Sequence, residues 1–174
     1  MLIGNTVALT AFEPGDRDPL FRWINSPELV RFNAPFRPVN AAMHDAWFAA
    51  LGRDASRVAF AIRALPQHQL IGVVQLLEID PIHRNAEALI RIGEVAEQGR
   101  GRGTETLKLL LDYAWRDLNL HRVWSRAFAR NPRAVAAYCR AGFVEEGRMR
   151  QAAFIDGAWD DIVVLGALAP SATA

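Results

Sequence analysis

The run Gln98-Gly99-Arg100-Gly101-Arg102-Gly103-Thr104 is the most chemically suggestive stretch of the 174-residue chain. Glycines at alternate positions let the backbone adopt φ > 0 and approach a ligand closely. Just beyond them Leu107, Leu110, Leu111, Ala114 and Leu118 recur at helical spacing, with Glu105, Lys108, Asp112 and Arg116 on the opposite face, which predicts an amphipathic helix. A helix start offers unpaired N–H groups and the positive end of its macrodipole, so the run reads as a cradle for a pyrophosphate. The Thr104 hydroxyl and the Arg100 or Arg102 guanidinium would add charge-assisted bonds. Two other phosphate loops are excluded. A dinucleotide fingerprint would need glycine at 104 or 106, where threonines stand, and no Walker sequence is present.

A second constellation lies downstream. Asn131 as N-cap, Pro132 at the first helical position and Gly142 just past the end bracket a short helix. Tyr138 follows Asn131 by two turns on nearly the same stripe, so both can face one cleft. Cys139 points about 100° away and has no His/Asn pattern around it, so a core thiol is expected there. His44, His68, His83 and His121 lack metal-ligand spacing, and no metal is expected.

Gln98-x-x-Gly101-x-Gly103 at a strand-to-helix junction, His121-Arg122-Val123, Asn131-Pro132-Arg133-Ala134 and Tyr138-Cys139-Arg140-Ala141-Gly142-Phe143 together resemble the GNAT superfamily of N-acetyltransferases. With Arg84-Asn85-Ala86-Glu87 and Trp23-Ile24-Asn25-Ser26-Pro27, the likeness is strongest to the branch of ribosomal-protein alanine acetyltransferases and their small-molecule relatives. The resemblance implies an α/β GNAT fold, with a mixed, twisted sheet, splayed central strands and helices on both faces. It implies one domain over residues 1–174 with a cofactor core at about 87–143.

It also implies direct transfer of an acetyl group from acetyl-coenzyme A to a primary amine, the acceptor being a protein N-terminal amine. Polyamines or amino sugars are the small-molecule alternative, since Gln75 to Glu87 also looks like spermidine acetyltransferases. An acyl-coenzyme A sensor without turnover is the alternative of another class, and a homodimer is compatible with either.

By that resemblance, the backbone of Gln98, Gly99, Arg100, Gly101, Arg102, Gly103 and Thr104 holds the pyrophosphate, Ile92 and Gly93 meet the pantetheine arm, and Asn131 faces the cofactor. Tyr138 protonates the departing thiolate, a sensible role for a donor of pKa about 10 beside a thiol of about 8.5. An amine acceptor is largely protonated at neutral pH, so a carboxylate or histidine facing the cleft must take a proton: Glu87, at the head of the strand, is the first candidate, directly or through water, with Glu78, Asp80 and His83 on the preceding connection as the others. Trp23, Phe32 and Asn33 belong to the acceptor side.

The elements that must position these groups follow from pattern. Strands are expected near Thr6 to Thr10, Val58 to Ile62, Leu70 to Leu76, Glu87 to Val95 and Arg122 to Phe128. A final hairpin is expected around Asp156-Gly157, from Glu145 to Leu168. Helices are expected at Asp16 to Trp23, Glu28 to Phe32 and residues 40–51, and the tail from Pro170 should fray. If the helix after the glycines is a crossover, the strands on either side of it run parallel. Twenty basic and nineteen acidic residues leave a net charge of +1, which argues for neither nucleic acid nor an anionic membrane as partner. A single cysteine and no basic, apolar leader point to the cytoplasm.

Overall fold

The computed structural model describes residues 1–32 and 36–170. Asn33, expected on the acceptor side, and the tail from Ser171 onward lie outside them. The chain builds one eight-stranded sheet in the order β1-β2-β3-β4-β5-β6-β8-β7. The strands are β1 (Leu2–Ile3), β2 (Val7–Thr10), β3 (Val58–Ala64), β4 (Gln69–Asp80), β5 (Asn85–Ile92), β6 (Arg122–Phe128), β7 (Val144–Ile155) and β8 (Ala158–Leu168). All neighbours are antiparallel except β5 and β6, which run parallel. That one parallel pair makes the sheet mixed, and it follows from the crossover α4 (Arg102–Arg116) between the two strands.

Strand β1 escapes the sequence pattern because two residues are too few to show alternation. The helices α1 (Arg17–Ile24), α2 (Pro27–Val30) and α3 (Ala41–Ala50) fall where expected, although α2 is a single turn that stops before Phe32. Ser26 precedes it without a side-chain cap, and Pro27 occupies its first position. The helix α5 (Pro132–Ala141) is capped as its sequence predicts. The Asn131 side chain accepts from Ala134 N–H, and Gly142 closes the helix at φ 112.

Helices cover both faces of the sheet. On one face α4 contributes Leu107, Leu110, Leu111 and Ala114 and α5 contributes Tyr138 and Ala141 to a core shared with Val74 and Leu76 of β4 and Ala86 and Ala88 of β5. Each fully buried leucine there contributes on the order of 1.5–3 kcal/mol. On the opposite face Leu20 and Trp23 of α1 pack with Ala61, Leu70 and Val73. Residues directly opposite on paired strands share a face. Ile90, paired with Val74, therefore faces α4, whereas Arg91, paired with Val73, faces α1.

Candidate active site

The parallel pairing of β5 and β6 covers only Asn85, Ala86 and Glu87 against Arg122, Val123 and Trp124. Beyond Glu87 the two strands part. The divergence opens a cleft of about 690 Å³ between β5, the start of α4, α5 and the end of α2.

At one end of the cleft is the glycine run. Gly99 and Gly101 have φ of 75 and 79, a conformation that side chains disfavour, and a Cβ on either would meet nothing within 4 Å. Glycine is needed here for backbone shape. Gly101 is the N-cap of α4, so Gly103 lies within the first turn, where it lines the cleft with Thr104. The first-turn N–H groups have no intrahelical acceptors, and they face the concavity that a pyrophosphate would fill.

The two arginines of the run behave differently from expectation. Arg102 turns away from the cradle. Its Nε lies 2.8 Å from Glu97, and Nη1 donates to the Thr6 carbonyl at 3.2 Å, fastening α4 to the start of β2. Arg100 is largely exposed, with Glu97 at 3.7 Å. Neither guanidinium lines the cleft. Gln98 does: its Nε2 donates to the Ile92 carbonyl at 2.9 Å, and its Oε1 accepts from Arg133 at 3.5 Å. The loop is thereby tied to both β5 and α5.

At the point of divergence stands Tyr138. It lines the cleft together with Asn131, with its ring edge-on to Phe143 at 5.1 Å. The hydroxyl reaches the Ala88 carbonyl at 3.5 Å, and Ser125 Oγ donates to the same carbonyl at 2.8 Å. Burial pushes the Tyr138 pKa up to about 12; the Glu87 charge adds to the rise, and hydrogen bonding with Ser125 and the Ile90 N–H opposes it. The phenol stays protonated throughout the neutral range.

Glu87 sits on the same strand, but both its oxygens are taken by Arg126, at 3.0 Å from Nε and 3.2 Å from Nη2. Arg126 lines the cleft and Glu87 does not. Gly93 also lies elsewhere than expected. Its N–H donates to the Ile71 carbonyl at 2.9 Å, and a Cβ on it would come within 2.0 Å of the Trp23 ring. Gly93 is therefore glycine so that α1 can pack on the end of β5, and it has no N–H left for a ligand. Ile92 lines the cleft, although its carbonyl is occupied by Gln98.

Of the proposed acceptor residues, Phe32 lines the cleft and carries the Arg31 guanidinium 5.1 Å above its ring. Trp23 is buried between α1 and the sheet, outside the cleft. Asn25 clamps the segment leading into α3, exchanging hydrogen bonds with Val39. Cys139 is exposed, because the face of α5 that packs on the sheet is the one carrying Tyr138. Among the described residues no group of three or more His, Cys, Asp or Glu side chains is placed to hold a metal. Among the same residues no helix is long and apolar enough to cross a membrane.

The sequence reading missed Arg91, Arg126 and Arg133, all of which line the cleft. A signal for the first existed: Arg91 interrupts the apolar run Ala88-Leu89-Ile90-Arg91-Ile92, where strand alternation alone calls for no charge.

Comparison with known proteins gives a consistent family. Residues 6–144 match the acetyltransferase (GNAT) domain. A spermidine N(1)-acetyltransferase of Vibrio cholerae is 42% identical over 96 residues, a stretch that covers 55% of this chain and 55% of that protein. In sequence, then, the chain spans about half the length of that curated relative. The [ribosomal protein uS5]-alanine N-acetyltransferase of Escherichia coli is 25% identical over 82% of this chain and 78% of its own length. In structure, the Vibrio cholerae spermidine N-acetyltransferase crystallised with CoA and spermine superimposes at a TM-score of 0.86, with 30% identity, over 95% of this chain and 96% of that one.

Proposed function

The chain belongs to the GNAT acetyltransferase family, and from that premise we propose that it transfers an acetyl group from acetyl-coenzyme A to the primary amine of a small molecule. One observation carries the reading: a protonated, buried Tyr138 hydroxyl stands where β5 and β6 part, in a cleft that runs on to the open N-terminus of α4. The cleft suits acetyl-coenzyme A. Gly99 and Gly101 hold a shape that keeps the cradle open, and beyond Glu87 β5 has no β6 backbone beside it, which leaves an edge for an extended, amide-bearing chain. The first-turn N–H groups of Arg102, Gly103 and Thr104, together with Arg133 beside Gln98, would hold the phosphates. When bound, acetyl-coenzyme A supplies the acetyl group already activated as a thioester.

The chain's own residues do the rest. Tyr138 Oη keeps its proton at neutral pH and is the donor of the site. Asn131 spends its side-chain oxygen on the α5 cap, so its part is to hold the helix that carries Tyr138. For Glu87 we favour positioning over general-base work, because its carboxylate is engaged by Arg126 on both oxygens. The amine's proton then leaves through water in the open part of the cleft.

Spermidine acetyltransferases as relatives, and the lower identity to the alanine enzyme, support a small-molecule acceptor over a protein N-terminal amine. Self-association, in a homodimer or a larger assembly, we assign to the edge strand β7, whose residues are almost all exposed.

Thiol release measured with acetyl-coenzyme A and a panel of amines tests the reading. Turnover of at least one small amine is expected. Tight acetyl-coenzyme A binding with no thiol release from any amine would replace it with the acyl-coenzyme A sensor. The part given to Glu87 is checked by a double-mutant cycle with Arg126. Glu87→Gln and Arg126→Met should each lower kcat/KM, and together lower it by no more than either alone, with the shape of the pH profile unchanged. An acidic limb that disappears in Glu87→Gln alone would make Glu87 the base.

A further inference from the structure

The charges on the acceptor face of this cleft are arranged for an anion. Arg91 lines the cleft from β5 and shares its face with Val73, which packs under α1, so it looks away from the α4 cradle on the other side of the strand. Its Nε is buried without a hydrogen-bond partner, and it forms no ion pair among the described residues. Burial lowers the pKa of this guanidinium, the mark of a cation that lacks compensation.

Two of the other charges that line the cleft are paired. Arg126 is neutralised by Glu87, and Glu97 by Arg102. Glu28 and Arg31, on and just past α2, both line the cleft mouth, with the Arg31 guanidinium over the Phe32 ring. Between Glu28 and Asp45 the sequence contains Arg31 and Arg37 and no carboxylate. The buried polar side chain that β4 places opposite Leu89 is a neutral amide, Gln75. A polycation would meet an uncompensated guanidinium here and few carboxylates to replace its lost hydration, which weakens its binding.

We propose that the acceptor is a small amine that also carries an anionic group, a carboxylate or a phosphate, and that Arg91 is the residue that holds that group. The inference rests on the acetyl-transfer reading for the word acceptor, while the anion site itself stands on Arg91 and its surroundings. Arginine presents a planar fork that pairs bidentately with either anion. With the anion held on β5, the amine is oriented from its far end, and matched molecules lacking the anion should bind worse.

The test uses the whole chain saturated with coenzyme A and calorimetric titration of matched pairs: β-alanine against β-alaninamide, phosphoethanolamine against ethanolamine, and spermidine as the polycation. At least one anion-bearing amine is expected to bind ten-fold or more tightly than its partner without the anion and than spermidine. The stronger of the two anions identifies carboxylate or phosphate as the group. Arg91→Gln should abolish that preference and Arg91→Lys retain part of it, with coenzyme A affinity unchanged in both. Equal binding within both pairs, preference for spermidine, or an Arg91→Gln defect confined to coenzyme A would overturn the proposal; in the last case Arg91 serves the cofactor. Thiol release with the same amines is scored separately. Its absence beside an intact, Arg91-dependent preference would refute acetyl transfer and leave the anion site standing.

Discussion

The two walls of the cleft are made of different material. The wall of β5, the α4 start and α5 works chiefly through backbone: positive-φ glycines, a helix N-terminus, an unpaired strand edge and one phenol. The wall of α2 works through the side chains of Glu28, Leu29, Arg31 and Phe32, and the elements behind it are already occupied in holding the fold, as with Trp23 of α1 on Gly93 and Asn25 on Val39. A backbone site serves any molecule that carries the same pyrophosphate and amide arm, whereas a side-chain site changes with each substitution. Substitutions on the first wall should therefore abolish the reaction, and those on the second should redirect it.

The sharpest way to break that contrast is at Tyr138. Tyr138→Phe should lower kcat by about 10² to 10⁴ with little change in acetyl-coenzyme A affinity, the range for a lost general acid. A parent-like kcat would transfer the role to solvent and remove the one side chain on which the first wall depends. The same variant has a pH signature. The folded-state pKa lies above the ordinary tyrosine value of 10, so the parent's advantage from a buried neutral phenol is complete below pH 10 and is lost as pH rises toward about 12. The melting-temperature difference between parent and Tyr138→Phe should drift in favour of the variant across that window and stay constant between pH 6 and 9.

At the cradle the geometry separates two glycines that look alike in sequence. Gly101→Val places a β-branched side chain at φ 79 and should weaken acetyl-coenzyme A binding by about 10² in a folded protein. Gly103 is helical, and its nearest neighbour to an added Cβ is Ile90 Cδ1 at 3.9 Å, so Gly103→Ala should cost less than ten-fold and leave the melting temperature unchanged or raised. Calorimetry on both variants decides. Equal losses would mean that bulk above the loop matters and the left-handed backbone does not.

This difference marks how far the sequence was legible. Glycine, proline and N-cap residues report backbone conformation directly, so the Gln98-to-Thr104 loop, the α5 brackets at Asn131 and Gly142, the parallel crossover and the Asp156-Gly157 hairpin could all be read from type and spacing. What could not be read is the direction in which a long side chain points. Arg102 and Arg133 are both arginines near the cradle, yet only the second turns to the cleft, because Glu97 and the Thr6 carbonyl capture the first. Gly93 shows the converse. Its role as a hole for Trp23 depends on an α1 that lies seventy residues earlier, a contact no local pattern contains.

Gly93 therefore tests whether the two walls are mechanically joined. Gly93→Ala must move the Trp23 ring or the end of β5, and overpacking of that kind costs about 1–3 kcal/mol. A drop in melting temperature should be accompanied by a rise in KM for the acceptor, since α1 and α2 are displaced together. Trp23→Phe in the same background should restore part of both. A stability loss with both KM values unchanged would mean that the acceptor wall does not depend on this contact.

The smallest effect is expected at Phe32, and it bears most directly on the acceptor. Its ring lines the cleft just past the single turn of α2, with Arg31 stacked above it, so it shapes the mouth without touching the cradle. An exposed cation–π pair contributes about 0.5–1 kcal/mol, and a partly buried ring adds a comparable apolar term. Phe32→Ala should accordingly raise acceptor KM by about three- to ten-fold, change the ranking within an amine panel, and leave acetyl-coenzyme A affinity and kcat for the best amine close to the parent. Freeing Arg31 from the ring should also add positive potential at the mouth, so anionic amines should suffer less than spermidine. A uniform loss across the panel would assign Phe32 to general packing. A loss confined to acetyl-coenzyme A would carry the cofactor wall across the cleft and dissolve the distinction between the two.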